Sequence, residues 1–416
     1  MHIVYFVQYF NLPHEPGGSR PYQFARAWAR AGHQVTVVTG AVNHKTLTVP
    51  EQYRGKFSVE EQIDRFRVLR VWSYAGIRGS FQKRLINFAS YAGSATLAGL
   101  FQVGKPDLIY ASTTPLLVGL AGVINSFWRG VPFVFEVRDL WPQSAIVAEI
   151  LKPGAFTTRA AAGVANFLYD HAARCVAVTQ GIADGLVQTG VPREKISFVP
   201  NGVDDWMVEK ARQSAPPRRE AETFDVVYVG AHGTWNGLGQ ILDAARILLP
   251  DRSIRFRFYG DGDARDALIA RARAERLDNV EFLGAVPKQT AFEAIELAGA
   301  SIVVTWAHPF QRMVLANKIF DYLAAGRPVL VGAEGEMASL VREANCGLVV
   351  PPEQPQRLAE AIQTIARMSA DDRNQMGARG RRYILERYQR ADLAMKLLDE
   401  FAKLTGQPAR LAEAHA

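Results

Sequence analysis

The sequence predicts an α/β protein of two similar domains, each a parallel sheet wrapped by helices, and three observations carry that reading. Short β-rich runs alternate with segments of helical period along the chain, the pattern of βαβ units whose sheet is buried on both faces. The alternation breaks once, at the polar stretch "DDWMVEKARQSAPPRREAETFD", and then restarts. The 416 residues exceed what one ordinary core accommodates and suit two.

In the first half the strand candidates are "HIVYFV", "QVTVVTG", "RVLRVW", "DLIYAS", "PFVFEV", "RCVAVT" and "ISFVPN", with helices expected at 21–30, 81–102, 116–128 and 157–173. In the second half they are "DVVYVG", "IRFRFYG", "NVEFLG", "ASIVVTW", "PVLVG" and "CGLVVPP", with helices at 240–249 and 264–276. Residues 1–203 are thus expected as an N-terminal Rossmann-like domain, 204–223 as a linker, and 224–380 as a C-terminal Rossmann-like domain. The amphipathic segment 381–406 is expected to pack back across the domains. Two such sheets are expected to face a central cleft, since open α/β sheets bind ligands at their carboxyl ends.

Hydrophobic residues make up 48% and charged residues 21%, which excludes a disordered or fibrous chain. The net charge of +7 favours a phosphate-bearing partner, whether nucleic acid, an anionic membrane or a phosphorylated small molecule. Cys175 and Cys346 lack metal-ligand or CxxC spacing, so neither a disulfide framework nor a zinc site is expected, and a reducing cytoplasm fits. "MHIVYFVQYF" has no basic n-region and reads as a first strand rather than a leader. The run "PLLVGLAGVINSFW" falls short of the roughly 18 apolar residues of a membrane span.

Glycine turns follow strands in "PGGSR", "GAHGTWNG" and "GDGDARD", where backbone N–H groups can approach a phosphate. A turn glycine without a ligand is the plain alternative for each. No strict GxGxxG with its acidic partner and no GxxxxGK[ST] occurs, which disfavours a dinucleotide dehydrogenase or a P-loop enzyme. In "FQRMVLANKIFDYLAAGRP", Asn317 is the expected helix cap, Lys318 the first helical residue, and Gly326 the C-terminal stop. A cation there is unfavourable by roughly 0.3–1 kcal/mol unless an anion sits before the helix. Asp321 lies one turn on, where it can share a ligand with Lys318 or simply pair with it.

"NKIFDYLAAGRPVLV", "GGSRPYQFARAWARAGHQVTVVTG", "EVRDLWP" and "VPNGVD" together resemble the retaining glycosyltransferases of family 4, which have the two-Rossmann GT-B fold. The resemblance covers essentially the whole chain. It implies a UDP- or GDP-sugar donor held mainly by the C-terminal domain and an acceptor held mainly by the N-terminal one. Asp321 matches the second glutamate of the family's paired-glutamate motif, which accepts hydrogen bonds from ribose hydroxyls. The first glutamate falls at Met313, and the family's arginine and lysine after the first C-domain strand fall at Ala231 and Asn236. The cations left for a diphosphate are Lys318, Arg312, His232 and Arg20, helped by backbone N–H groups at Gly17, Gly18 and Gly233. Asn317, Lys318 and Asp321 complete the expected donor site. "GAHGTWNGL" is similar to a subgroup acting in bacterial surface-polysaccharide assembly, which implies a polyprenyl-diphosphate-linked saccharide acceptor.

Arg138 stands where relatives often carry histidine, and with Asp139 and Lys318 it forms the expected catalytic set. Asp139 is equally readable as a helix cap or an ion-pair partner of Arg138. Glu136, inside an apolar strand, is expected to pair with an arginine. His171 and Trp141 read as packing residues, and His14 lies in a loop able to reach the cleft. Arg78, Lys83 and Arg84 flank a helix that either packs on the first sheet or lies on an anionic membrane.

Fixed cations and helix-end dipoles would stabilise the departing nucleoside diphosphate, and its phosphate oxygen can take the acceptor's proton. No metal and no other cofactor is expected, for lack of a DxD-like cluster at a strand end, and no nucleic-acid partner. A sugar-nucleotide epimerase and a non-catalytic binding protein are the competing readings.

Overall fold

The computed structural model describes residues 1–13, 15, 18–43, 48–75, 81–213 and 223–410. The chain forms two compact units, Met1–Asn201 with Arg390–Ala416, and Gly202–Gln389.

Among the described residues the first unit has an eight-stranded sheet. Its strands are β1 (His2–Phe6), β2 (Gln34–Gly40), β3 (Ser58–Ile63), β4 (Phe66–Val71), β5 (Leu108–Ser112), β6 (Phe133–Val137), β7 (Arg174–Ala177) and β8 (Ile196–Phe198). They run in the order β3-β4-β2-β1-β5-β6-β7-β8, parallel except for the β3/β4 hairpin. The sequence reading missed β3, "SVEEQI". It is a polar edge strand with no buried residue, so it lacks the apolar run that marks the others.

The second unit has a six-stranded, all-parallel sheet of β9 (Phe224–Val229), β10 (Ile254–Tyr259), β11 (Val280–Gly284), β12 (Ala300–Val304), β13 (Val329–Gly332) and β14 (Gly347–Val350). Its order is β11-β10-β9-β12-β13-β14. Both faces are covered: along β9, Val226 and Tyr228 enter one core cluster and Val227 the other, as the twofold alternation of a strand requires. The parallel strand order switches direction between β1 and β5 in the first sheet and between β9 and β12 in the second. Such switch points leave a crevice at the carboxyl ends of the strands.

The stretch expected as a linker begins with a helix, Asp205–Gln213, which buries Met207, Val208 and Ala211. Those apolar residues recur at helical spacing, which the polar composition around them obscures. The residues 214–222 lie outside the described ones. The expected 381–406 helix is two helices: Ala370–Arg387 in the second unit and Arg390–Thr405 in the first. The latter docks on the helix Arg20–Arg30, where Trp28 Nε1 donates to the carbonyl of Ala394 at 2.8 Å and Phe401 packs 5.2 Å from the Trp28 ring. No helix among the described residues is long and apolar enough to cross a membrane.

Candidate functional site

At the switch point of the second sheet, the helix Asn317–Ala325 is tied to the end of β9 by one side chain. The Tyr322 hydroxyl accepts from the Val229 N–H at 2.8 Å and donates to the Val229 carbonyl at 3.1 Å. The helix begins one residue earlier than the sequence suggests. Ala316, in extended conformation, is the cap, Asn317 is the first helical residue and makes no capping bond, and Lys318 is the second. Gly326, at φ 72°, ends the helix as expected.

This start lays the Lys318 side chain over Gly230, where a Cβ would stand 2.9 Å from both Cε and Nζ. Nζ donates to the Tyr228 hydroxyl at 2.5 Å and to Asn236 Oδ1 at 3.3 Å, and lies 4.2 Å from the centre of the Tyr228 ring. No carboxylate is among these partners, so the Lys318–Asp321 pair that the spacing allows is not formed. Part of the lysine remains accessible, yet burial of its ammonium end pulls the pKa down to about 7. Asp321, half-buried, is pushed up by burial against the opposing pull of Lys288.

The glycine turns have a structural task. Gly260, at φ +134°, abuts the carbonyl of Gly230 so closely that a Cβ would come within 1.9 Å of its oxygen. The loops after β9 and β10 therefore touch backbone to backbone. Gly233 caps a short 3-10 turn, Thr234–Asn236, and its N–H meets no protein acceptor among the described residues.

His232, expected as a cation, is 0% exposed among the rings of Tyr228, Phe258 and Phe282. Burial and the nearby Arg265 pull its pKa down to about 4, so it is neutral and serves packing. The strand–loop path after β9 turns this side chain inward, which the sequence does not disclose. Arg312 is exposed and engages Glu334 at 2.7 Å through Nε and Nη2. Two further side chains lie beside these loops and were not singled out from the sequence. Tyr228 reads as a strand interior, but its hydroxyl emerges beside Gly230 and also donates to the Ala231 carbonyl at 2.8 Å. Trp306, following β12, is exposed and donates from Nε1 to the Thr234 carbonyl at 2.6 Å.

In the first unit Arg20 is 1% exposed and fully engaged. Its Nε and Nη2 donate to Glu136 Oε1 at 2.9 and 2.7 Å, Nη2 also reaches the Val199 carbonyl at 2.9 Å, and Nη1 donates to the Pro200 carbonyl. Its guanidinium lies 4.1 Å from the Phe24 ring centre. Arg20 is therefore the partner expected for Glu136 and is not available as a donor-binding cation, because the first helical turn points it into the core. Burial would raise the Glu136 pKa, but Arg20, Arg138 and the Ser112 hydroxyl hold it below the usual range. Arg390 joins the same cluster through the Asn201 carbonyl at 2.8 Å and Ser19 Oγ at 3.2 Å. Burial, with Arg20 and Arg138, lowers its pKa to about 9.

Arg138 and Asp139 follow β6. The Arg138 N–H donates to Thr113 Oγ1 at 2.8 Å and its Nη2 to Asn201 Oδ1 at 3.4 Å. Asp139 accepts from Thr114 Oγ1 at 2.7 Å and forms no ion pair with Arg138. Gly18 is exposed before the helix Arg20–Arg30, whose first turn contains no acid. His171 packs against Phe127 and Phe167, as expected. Gly17, His14 and Arg78 lie outside the described residues. Among those described, no cluster of acidic, His and Cys side chains is arranged to hold a metal ion.

Comparison with known proteins agrees with this architecture. Residues 17–202 match the family described as glycosyl transferase 4-like domain, and residues 223–368 match glycosyl transferases group 1. The probable glycosyltransferase WbjE of Pseudomonas aeruginosa is 24% identical over 280 residues, covering 64% of this chain and 67% of that protein. The structure of Anabaena Alr3699/HepE in complex with UDP-glucose superposes with a TM-score of 0.67 at 19% identity, covering 97% of this chain and 100% of that one. WaaG, a glycosyltransferase involved in lipopolysaccharide biosynthesis, gives 0.65 at 16% identity, covering 98% and 100%. With its two domains matched in succession and its fold shared over nearly its whole length, this chain belongs to the GT-B glycosyltransferases, of the family 4-like kind.

Proposed function

We propose that the protein is a retaining glycosyltransferase that moves a hexosyl or N-acetylhexosaminyl group from a UDP- or GDP-sugar to a lipid-linked saccharide in cell-surface polysaccharide assembly. The observation that carries the donor site is the Lys318 ammonium, held at the carboxyl edge of β9 with no acid to neutralise it. A diphosphate supplies the missing negative charge, and the Gly233 N–H and the first turn of the helix Asn317–Ala325 add donors. Asp321 accepts from ribose hydroxyls. The UDP-glucose bound by HepE supports this donor class, and the role of WaaG in lipopolysaccharide synthesis supports the acceptor class.

Catalysis in this reading is charge stabilisation. As the sugar gains oxocarbenium character, Lys318 and the aligned amides stabilise the departing nucleoside diphosphate, whose phosphate oxygen takes the acceptor's proton. Arg138 and Asp139 attend the acceptor's reacting end. The reaction requires no metal and no other cofactor. Enzyme of this kind would act at the cytoplasmic face of an anionic membrane.

Purified protein incubated with a panel of nucleotide sugars, with and without a lipid-linked saccharide, tests the proposal. Acceptor-dependent release of nucleoside diphosphate, unaffected by EDTA and giving a product that keeps the donor's anomeric configuration, is the expected result. Acceptor-independent conversion of the sugar would instead indicate an epimerase, and binding without turnover a non-catalytic partner.

A further inference from the structure

We propose that an apolar pocket in the first unit holds the hydrocarbon chain of a lipid phosphate, the part of the acceptor that the sugar-transfer chemistry leaves untouched. This deepens the reading above and rests on it for the word acceptor. The pocket has a volume of about 370 Å³, within the ~300–1,000 Å³ range of small-molecule sites. It is walled by the start of the helix Phe81–Gln102, the loop after β5, Trp141, Ile150 and the start of the helix Phe156–His171.

Three observations select the occupant. The lining is almost wholly aliphatic and aromatic, which suits a hydrocarbon and not a saccharide. Its rim carries large apolar side chains exposed to solvent, with Phe156 at 77% and Leu85 at 47%, an arrangement otherwise costly in water. The charge nearby is mainly positive: the wall segments 81–88 and 149–164 carry Lys83, Arg84, Lys152 and Arg159 against Glu149, with Asp139 the further acid beside Thr114. Arg84 lines the pocket itself and can donate to a phosphate.

The pocket also abuts one candidate catalytic residue: Thr114 lines it and donates to Asp139 at 2.7 Å.

Calorimetric titration with farnesyl phosphate, with methyl phosphate as the chainless control, tests the assignment. Saturable binding of farnesyl phosphate and at least tenfold weaker binding of methyl phosphate are expected. Ala161→Trp, which fills the pocket, should weaken farnesyl phosphate at least tenfold while UDP-sugar binding is unchanged. Should that variant fold poorly, Arg84→Gln on the exposed helix start should still weaken farnesyl phosphate several-fold. Equal affinity for both phosphates, or affinity unaffected by both substitutions, overturns the proposal. The two readings fail separately. Chain-dependent binding without transfer to any lipid-linked saccharide supports the pocket and removes the lipid-acceptor reading, whereas transfer to a lipid-linked saccharide without chain-dependent farnesyl phosphate binding removes the pocket alone.

Discussion

The Lys318 ammonium donates to the Tyr228 hydroxyl at 2.5 Å, and that hydroxyl in turn donates to the Ala231 carbonyl at 2.8 Å. The relay orients the lysine but leaves its charge uncompensated, and a neutral acceptor offsets little of the desolvation that lowers the pKa to about 7. In the proposed donor site an incoming diphosphate would meet a positioned but under-stabilised cation.

Replacing Lys318 with Met keeps the packing over Gly230 and removes the charge. A hydrogen bond to a charged group contributes about 1.5–3 kcal/mol, so UDP-sugar affinity should fall roughly 10- to 150-fold with the thermal midpoint little changed. Calorimetry on the two proteins decides it, and equal dissociation constants would exclude Lys318 from the donor site.

The pH dependence has a definite sign. A bound diphosphate favours protonated Lys318 and raises its pKa above about 7, so between the free and bound values binding takes up a proton. Donor affinity should be highest below pH 7 and fall as pH rises, by up to about tenfold per unit. Titrations at pH 8 in two buffers of different ionisation enthalpy should register proton uptake, and Lys318→Met should abolish it.

Gly230 and Gly260 should differ when each becomes alanine. At Gly230 the new methyl meets the flexible end of Lys318, at 2.9 Å. The strained positive φ costs about 1–3 kcal/mol, and the protein should fold while losing donor affinity. At Gly260 the methyl meets backbone, 1.9 Å from the Gly230 oxygen, so thermal denaturation should show a much larger loss.

Arg20→Met tests whether that arginine is structural. Breaking a buried pair by removing one partner costs about 3–5 kcal/mol, so denaturant unfolding should shift strongly while the still-folded fraction binds UDP-sugar normally. A donor defect without lost stability would reverse the assignment. Glu136 has a lowered pKa, so its contribution is present above the unfolded carboxylate range and disappears as pH falls through the lowered value. Glu136→Gln should therefore flatten the acid limb of the stability profile.

The parallel strands were legible because burial on both faces writes continuous apolar runs such as "SIVVT" into the chain, whereas β3, buried on neither face, leaves no such trace. The place of Lys318 in the first turn of a helix was legible, though one position from where it stands. His232 and Arg20 were not. Whether a polar side chain after a strand turns outward or inward depends on a backbone path, and Arg20 is decided by carbonyls at Val199 and Pro200, about 180 positions away. Tyr228 escaped for the opposite reason: its ring belongs to the core and only its hydroxyl meets Lys318.

The chain leaves its first unit at Asn201 and re-enters it at Arg390, which bears on how a ribosome delivers it. Trp28 and Tyr110 are synthesised early, yet Phe401, which packs within 5.5 Å of both rings, emerges some 290 residues after Tyr110. Vectorial synthesis thus lets the later-made unit close first, while the earlier one waits with an unsealed aromatic surface that a chaperone would recognise.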